Sequence, residues 1–113
     1  MKTILAHLGF SDITESVDGE DAWYKINEET EKGRDHMFDL IVSDMEMPGM
    51  TGLELLRAVR TSPEVGKTPF IMATTVTARQ IILETMRLGI QAYIIKPFDA
   101  HTVELKLKQA GIL

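Results

Sequence analysis

An α/β fold with a doubly wound parallel sheet is what this sequence predicts, and three observations predict it. Short apolar, β-branched runs alternate with segments of helical periodicity along the whole chain. Those runs are apolar at successive positions, as strands covered by helices on both faces must be. Several of them end in polar residues that run straight into Pro or Gly, so loops gather at one edge of the sheet. With 113 residues, a single domain over positions 1–113 is expected, long enough for a modest core.

The elements follow in order. Met1 to Leu8 carries apolar residues on one helical stripe, and Gly9 suits its end. Positions 12–17, with Ile13 and Val17 apolar, read as a strand near a sheet edge. Asp18-Gly19 is a turn that starts a helix with Ala22, Trp23, Ile26 and also Tyr24 on its inner face, fading into the polar stretch Asn27 to Asp35. Positions 39–44 form a buried strand. A helix from about Gly52 to Arg60 stops before Pro63, because proline disfavours helix in the residue preceding it. Positions 69–75 are a second buried strand. Thr77 to Leu88 is a helix with Ile81, Ile82, Leu83 and Met86, closed by Gly89. Positions 91–96 form the last strand, and Asp99 caps a final helix carrying Val103, Leu105, Leu107 and Ala110. Four strands are thus expected, with no output domain after the last helix.

Composition narrows the function classes. There is no cysteine, so disulfide frameworks and thiolate metal sites are excluded. His7, His36 and His101 are too scattered for a zinc site. A net charge of −5 argues against a general nucleic-acid surface, which needs a basic stripe. No apolar run approaches the roughly 18 residues of a spanning helix, and no signal peptide opens the chain. A cytoplasmic protein without nucleic-acid or membrane partners is the expectation.

The chemistry concentrates at three strand ends. Asp39-Leu40-Ile41-Val42-Ser43-Asp44 ends on a carboxylate and runs into Met45-Glu46-Met47-Pro48-Gly49. An aspartate there is a candidate nucleophile or metal ligand; alternatively it only starts the turn. Thr74 and Thr75 end the next strand, and Lys96 ends the last. In a parallel sheet all three ends meet at one edge. A carboxylate that attacks phosphorus, a hydroxyl that hydrogen-bonds the arriving group and an ammonium that neutralises its oxygens make a phosphoryl-acceptor site. Phosphoryl transfer is catalysed mostly by positioning and charge neutralisation, so a divalent cation belongs in such a site.

The stretches LGFSDITESVDGEDAW, FDLIVSDMEMPGMTGLELLRAVR, ATTVTA and GIQAYIIKPF together resemble the response-regulator receiver domains of two-component signalling. They are most similar to the stand-alone CheY-like (flavodoxin-like) type. The resemblance implies that Asp44 is the phospho-acceptor, Thr74 the switch hydroxyl and Lys96 the lysine contacting the phosphoryl group. It implies a cis Lys96-Pro97 peptide. Thr75 matches the residue governing access to the phosphate, and Tyr93 the aromatic that moves inward when the threonine engages it. Glu46 would supply a backbone carbonyl to Mg²⁺ beside the Asp44 carboxylate, with its side chain also in reach. A histidine kinase would donate the phosphoryl group, and the output face would include Ile82, Met86, Tyr93 and Lys106. By the same resemblance the chain is a signalling domain and not an enzyme. In a chemotaxis role its partners would be a kinase and a flagellar motor protein.

The chain departs from the family at its start. Met1-Lys2-Thr3-Ile4-Leu5 matches the middle of the family's first helix. The central first strand and its Mg²⁺-holding acidic pair have no counterpart, as in an N-terminally truncated domain. Weak Mg²⁺ binding, impaired phosphorylation and a homodimer or strand- or helix-exchanged oligomer filling the gap are therefore expected. A phosphorylation-independent protein-binding or dimerisation module is the alternative. A phosphatase of the haloacid-dehalogenase type would need an acidic motif and a cap that the sequence does not show.

Overall fold

β-Branched and aromatic runs at the expected positions do form strands. In the computed structural model, which describes residues 1–113, they are β1 (Ile41–Ser43), β2 (Phe70–Thr74) and β3 (Ala92–Ile95). They pair in parallel in the order β1-β2-β3, with Ile41 opposite Phe70 and Ile71 opposite Ala92. Five helices accompany them: α1 (Lys2–His7), α2 (Gly19–Glu31), α3 (Gly52–Thr61), α4 (Arg79–Leu88) and α5 (Ala100–Gln109), with a 3₁₀ turn at Arg34–His36.

Helices cover both faces, as a doubly wound sheet requires. Ile41, Phe70 and Met72 point to one side, where they pack with Ile26 of α2 and with Leu55, Leu56 and Val59 of α3. Ile71, Ala73 and Ile94 point to the other, against Leu5 of α1 and Val103 and Leu107 of α5. This alternation is the period-two geometry of a strand. Every residue of β2, the middle strand, is buried, which explains why its sequence is apolar without interruption.

Local chemistry sets the helix starts. The Asp18 carboxylate accepts from the Asp21 N–H and caps α2. Thr51 and Glu54 form a reciprocal capping box at the start of α3, two orphan donors satisfied at once. The Asp99 carboxylate accepts from the Thr102 N–H at the start of α5.

Two sequence expectations need correction. Positions 12–17 are not a strand, and no backbone–backbone hydrogen bond involves residues 11–17. A strand exists only through its neighbour's ladder. β1 pairs with β2 alone, so the segment has nothing to pair with; Ile13 is half-buried while Val17 stands 86% exposed. The second correction concerns helix faces. The inner line of α4 is Ile81, Thr85 and Leu88, a stripe of i, i+4, i+7. Leu83 and Met86 face outward. Thr85 is fully buried because its hydroxyl donates to the Ile81 carbonyl at 2.7 Å, which removes the cost of an unpaired polar group. In α5, Val103 and Leu107 are inward and Leu105 is exposed, and on α2 Tyr24 turns outward with 67% of its surface exposed, contrary to the inward face expected for it.

Candidate functional site

Parallel pairing sends the carboxyl ends of all three strands to one edge. Asp44 follows β1, Thr74 closes β2, and Lys96 follows β3. The Lys96 N–H donates to the Thr74 carbonyl at 2.9 Å, so the last two ends are tied together by the ladder itself.

Asp44 is the centre of this edge. Its Oδ2 receives the Lys96 ammonium at 2.5 Å and its Oδ1 receives the Glu46 N–H at 3.0 Å. Burial alone would raise the Asp44 pKa. The Lys96 hydrogen bond, the Glu46 N–H and the nearby Thr74 hydroxyl outweigh burial and hold it below the usual carboxylate value. Asp44 is therefore an anion at neutral pH, partly screened from solvent and held in one orientation.

The loop that carries Asp44 into α3 is shaped by Gly52. Its N–H donates to the Met45 carbonyl at 3.0 Å, and a Cβ there would stand 2.1 Å from the Asp44 carbonyl oxygen. Only a glycine lets α3 begin so close beneath the acceptor loop.

The two threonines differ. Thr74 is completely buried, and its hydroxyl oxygen accepts the Val76 N–H at 3.3 Å. Thr75 is exposed and donates its hydroxyl to Glu46 Oε1 at 3.1 Å. This bond joins the loop after β1 to the loop after β2 beside Asp44. Tyr93 is half-buried, with its hydroxyl donating to the Val76 carbonyl at 2.7 Å. Burial first, and the Asp44 charge second, raise its pKa. The Lys96-Pro97 peptide is cis.

The structure thus brings Asp44, Glu46, Thr74, Thr75, Tyr93 and Lys96 to one edge. Of the remaining positions expected on an output face, Met86 is exposed and Ile82 and Lys106 are half-buried. Sequence reasoning missed Leu83, Ile95 and Leu105, which are 40–46% exposed. A strict i, i+4, i+7 count along α4 would have put Leu83 outside. It also missed the Glu46–Thr75 bond, for which sequence spacing gives no signal.

The donor set for a cation is small. Asp44 and Glu46 are the nearby carboxylates, and no group of three or more His, Cys, Asp or Glu side chains is placed to hold a metal ion. Both already accept hydrogen bonds from protein groups. Mg²⁺ wants six oxygens in near-octahedral array. These residues do not fit a resident Mg²⁺ site, although receiver domains generally bind Mg²⁺ where they are phosphorylated.

Comparisons with known proteins agree with this geometry. The response regulator receiver domain family matches residues 1–108. The chemotaxis protein CheY of Pseudomonas aeruginosa is 35% identical over 109 residues, 96% of this chain and 82% of that protein. Chemotaxis protein CheY-3 of Vibrio cholerae is 37% identical over 107 residues, 95% of this chain and 77% of its own length. Among solved structures, Vibrio cholerae chemotaxis protein CheY4 superposes with a TM-score of 0.78 at 32% identity, covering 96% of this chain and 84% of that one. Receiver domains accept phosphoryl groups and interact with histidine kinases and downstream effectors. No helix here is long and apolar enough to cross a membrane. The carboxylate, hydroxyl and ammonium at the strand ends, the cis peptide after the lysine and the match over residues 1–108 have one reading: the chain belongs to the response regulator receiver domain family.

Proposed function

We propose that Asp44 is the phospho-acceptor of this domain and that its acceptor chemistry is impaired. The observation that carries the first part is the 2.5 Å contact between Lys96 Nζ and Asp44 Oδ2 at the edge where Thr74 and Thr75 also end. A carboxylate oxygen of Asp44 attacks the phosphorus of a phosphohistidine. The P–N bond breaks with its electron pair going to that ring nitrogen, and the histidine leaves as neutral imidazole, its other ring nitrogen already carrying the proton. Lys96 then shifts from the carboxylate to the phosphoryl oxygens as a point charge. The Thr74 hydroxyl gives up the Val76 N–H and donates to the same group. Tyr93 follows because its hydroxyl bonds the Val76 carbonyl, which carries the event toward the face of α4, β3 and α5 bearing Ile82, Met86 and Lys106.

The impairment follows from the donor set. Without a third carboxylate, Asp44 and Glu46 hold a cation weakly, and Lys96 alone neutralises the incoming charge. The open outer edge of β1 corresponds, in this reading, to the place of the family's first strand and its acidic pair. The same observation favours a second reading, in which the domain works as a protein-binding module without phosphoryl transfer.

Borohydride trapping after incubation with acetyl phosphate separates the two. Peptide mapping should find the reduced acyl phosphate at Asp44 and nowhere else. Trapping at a different carboxylate, or none over long incubation, would leave the binding-module reading standing.

A further inference from the structure

The outer faces of α2 and α4 complement each other, although α3 keeps them apart within one chain. On α2 the exposed residues are Glu20, Tyr24, Glu28 and Glu31, with Tyr24 67% exposed. On α4 they are Arg79, Gln80, Leu83, Met86 and Arg87. Two glutamates eight residues apart thus flank a tyrosine, and two arginines eight residues apart flank a leucine and a methionine. We propose that the chain self-associates as a twofold dimer in which α2 of each copy packs on α4 of the other. Glu20 then meets Arg79, Glu28 meets Arg87, and Tyr24 lies against Leu83 and Met86. The inference is independent of any chemistry at Asp44.

The layout of the helices lets both contacts form at once. α2, α3 and α4 all pack on the sheet face formed by Ile41, Phe70 and Met72, and α3 touches both of the others. All three begin at the carboxyl edge of the sheet. A Cβ on Gly19 would meet the Met50 carbonyl of the loop after β1, one on Gly52 would meet the Asp44 carbonyl, and α4 follows β2. The helices therefore run in the same direction. A twofold axis along α3 keeps that direction and exchanges left for right, so α2 of one copy faces α4 of the other at the same height. Glu20 is the second residue of α2 and Arg79 the first of α4. Eight residues span about 12 Å on either helix, so the second charge pair is in register when the first is.

Charge identifies the occupant. None of Glu20, Glu28, Arg79 and Arg87 has an ion-pair partner in its own chain. The charges beside them are already neutralised, Asp21 by Lys25 and Glu84 by Arg57. Tyr24, its hydroxyl beside the Glu28 carboxylate, offers a ring to Leu83 and to the Met86 sulfur, a favourable aromatic contact. A foreign basic helix would suit α2 alone; a second copy satisfies α2 and α4 together, and the twofold repeats the contact. The net charge of −5 per copy opposes approach from a distance, but it is screened beyond about 8 Å at physiological salt. Exposed ion pairs contribute little each, so the dimer is reversible, with a Kd on the order of 10–100 µM.

Sedimentation equilibrium of the full chain from about 5 to 500 µM should show a monomer–dimer equilibrium. Charge reversal then identifies the surface. The double variant Glu20→Arg/Glu28→Arg carries cations on both helices, and Arg79→Glu/Arg87→Glu carries anions on both. Each alone should dimerise at least about tenfold more weakly than the parent. Mixed in equal amounts they should form a heterodimer, because every reversed charge then meets its opposite. All four positions are exposed, and circular dichroism checks that the parent fold is kept; the single variants Glu28→Arg and Arg87→Glu repeat the experiment if a double variant unfolds. A parent that stays monomeric throughout would overturn the proposal and leave α2 to a foreign basic helix. Dimers indifferent to both reversals would overturn it in favour of another surface. Folded variants that weaken alone yet fail to recombine would show that α2 and α4 do not meet.

Discussion

Replacing Gly52 by alanine places a methyl group where the backbone of the acceptor loop already lies. The added Cβ would stand 2.1 Å from the Asp44 carbonyl oxygen and 2.9 Å from Met45 Cα. Ordinary carbon–oxygen contacts sit well beyond 3 Å, so the start of α3 and the Asp44 loop must separate by about 1 Å. Neither side yields readily. The Gly52 N–H is tied to the Met45 carbonyl, and α3 is anchored by Leu55, Leu56 and Val59, each at most 1% exposed. Overpacking of this kind costs about 1–3 kcal/mol. The gain from replacing glycine by alanine in a helix is up to about 1 kcal/mol, and it is smaller in the first turn. A net loss of about 1–2 kcal/mol is expected. For a chain of this length the unfolding entropy is about 0.24 kcal/mol/K, so Tm should fall by about 4–8 °C. Differential scanning calorimetry measures this directly. Because the displaced atom is the Asp44 carbonyl, the Asp44–Lys96 contact should loosen too, visible as a shift of the Lys96 ε-methylene resonances. An unchanged or raised Tm would mean that the loop does not need the close approach.

Other perturbations test separate links. Arg60 donates to the carbonyls of Gly89, Gly66 and Thr68, joining α3 to the loops before β2 and β3. Arg60→Met should cost about 1–3 kcal/mol in urea denaturation without changing the m-value; no loss would show those carbonyls are as well served by water. Asp44 has a folded pKa below its unfolded value, so its stabilisation is complete above the unfolded value near ~4 and fades as pH falls through the folded one. The stability difference between the parent and Asp44→Asn should accordingly shrink in acid, and a difference constant from neutral pH down to about 2 would contradict that origin. Glu46→Ala frees the Thr75 hydroxyl and removes a negative charge beside Asp44. Without added divalent cation, labelling of Asp44 by acetyl phosphate should speed up roughly three- to tenfold at low salt, and less at high salt. A slower reaction under those cation-free conditions would contradict the electrostatic origin.

Much of the site was readable from residue order because parallel strands carry a simple rule: their carboxyl ends share an edge. Asp44, Thr74 and Lys96 each follow an apolar run, and that alone puts them together. Asp18 and Asp99 were equally legible as starting points, since a short oxygen-bearing side chain before an amphipathic run satisfies orphan helix N–H groups. Positions 12–17 were not legible. Ile13 and Val17 suit a strand locally, but strand formation depends on a neighbour, and sequence pattern says nothing about whether one is present. The faces of α4 and α5 were blurred for another reason. Leu83, Met86 and Leu105 are apolar yet exposed, and Thr85 is polar yet buried by bonding its own helix. Hydrophobicity without register gives the wrong face. The bond between Thr75 and Glu46 and the three-carbonyl grip of Arg60 join residues distant in sequence, so only folded geometry exposes them.

In the proposed function Asp44 accepts a phosphoryl group, and does so poorly because only Asp44 and Glu46 stand where a cation would bind. Intact-mass spectrometry after incubation with acetyl phosphate and Mg²⁺, run beside Asp44→Asn, addresses both halves. A minor fraction gaining the mass of one phosphoryl group, absent from the variant, is the predicted result. A gain that persists in Asp44→Asn would contradict the assignment of the acceptor, and stoichiometric labelling would contradict the impairment.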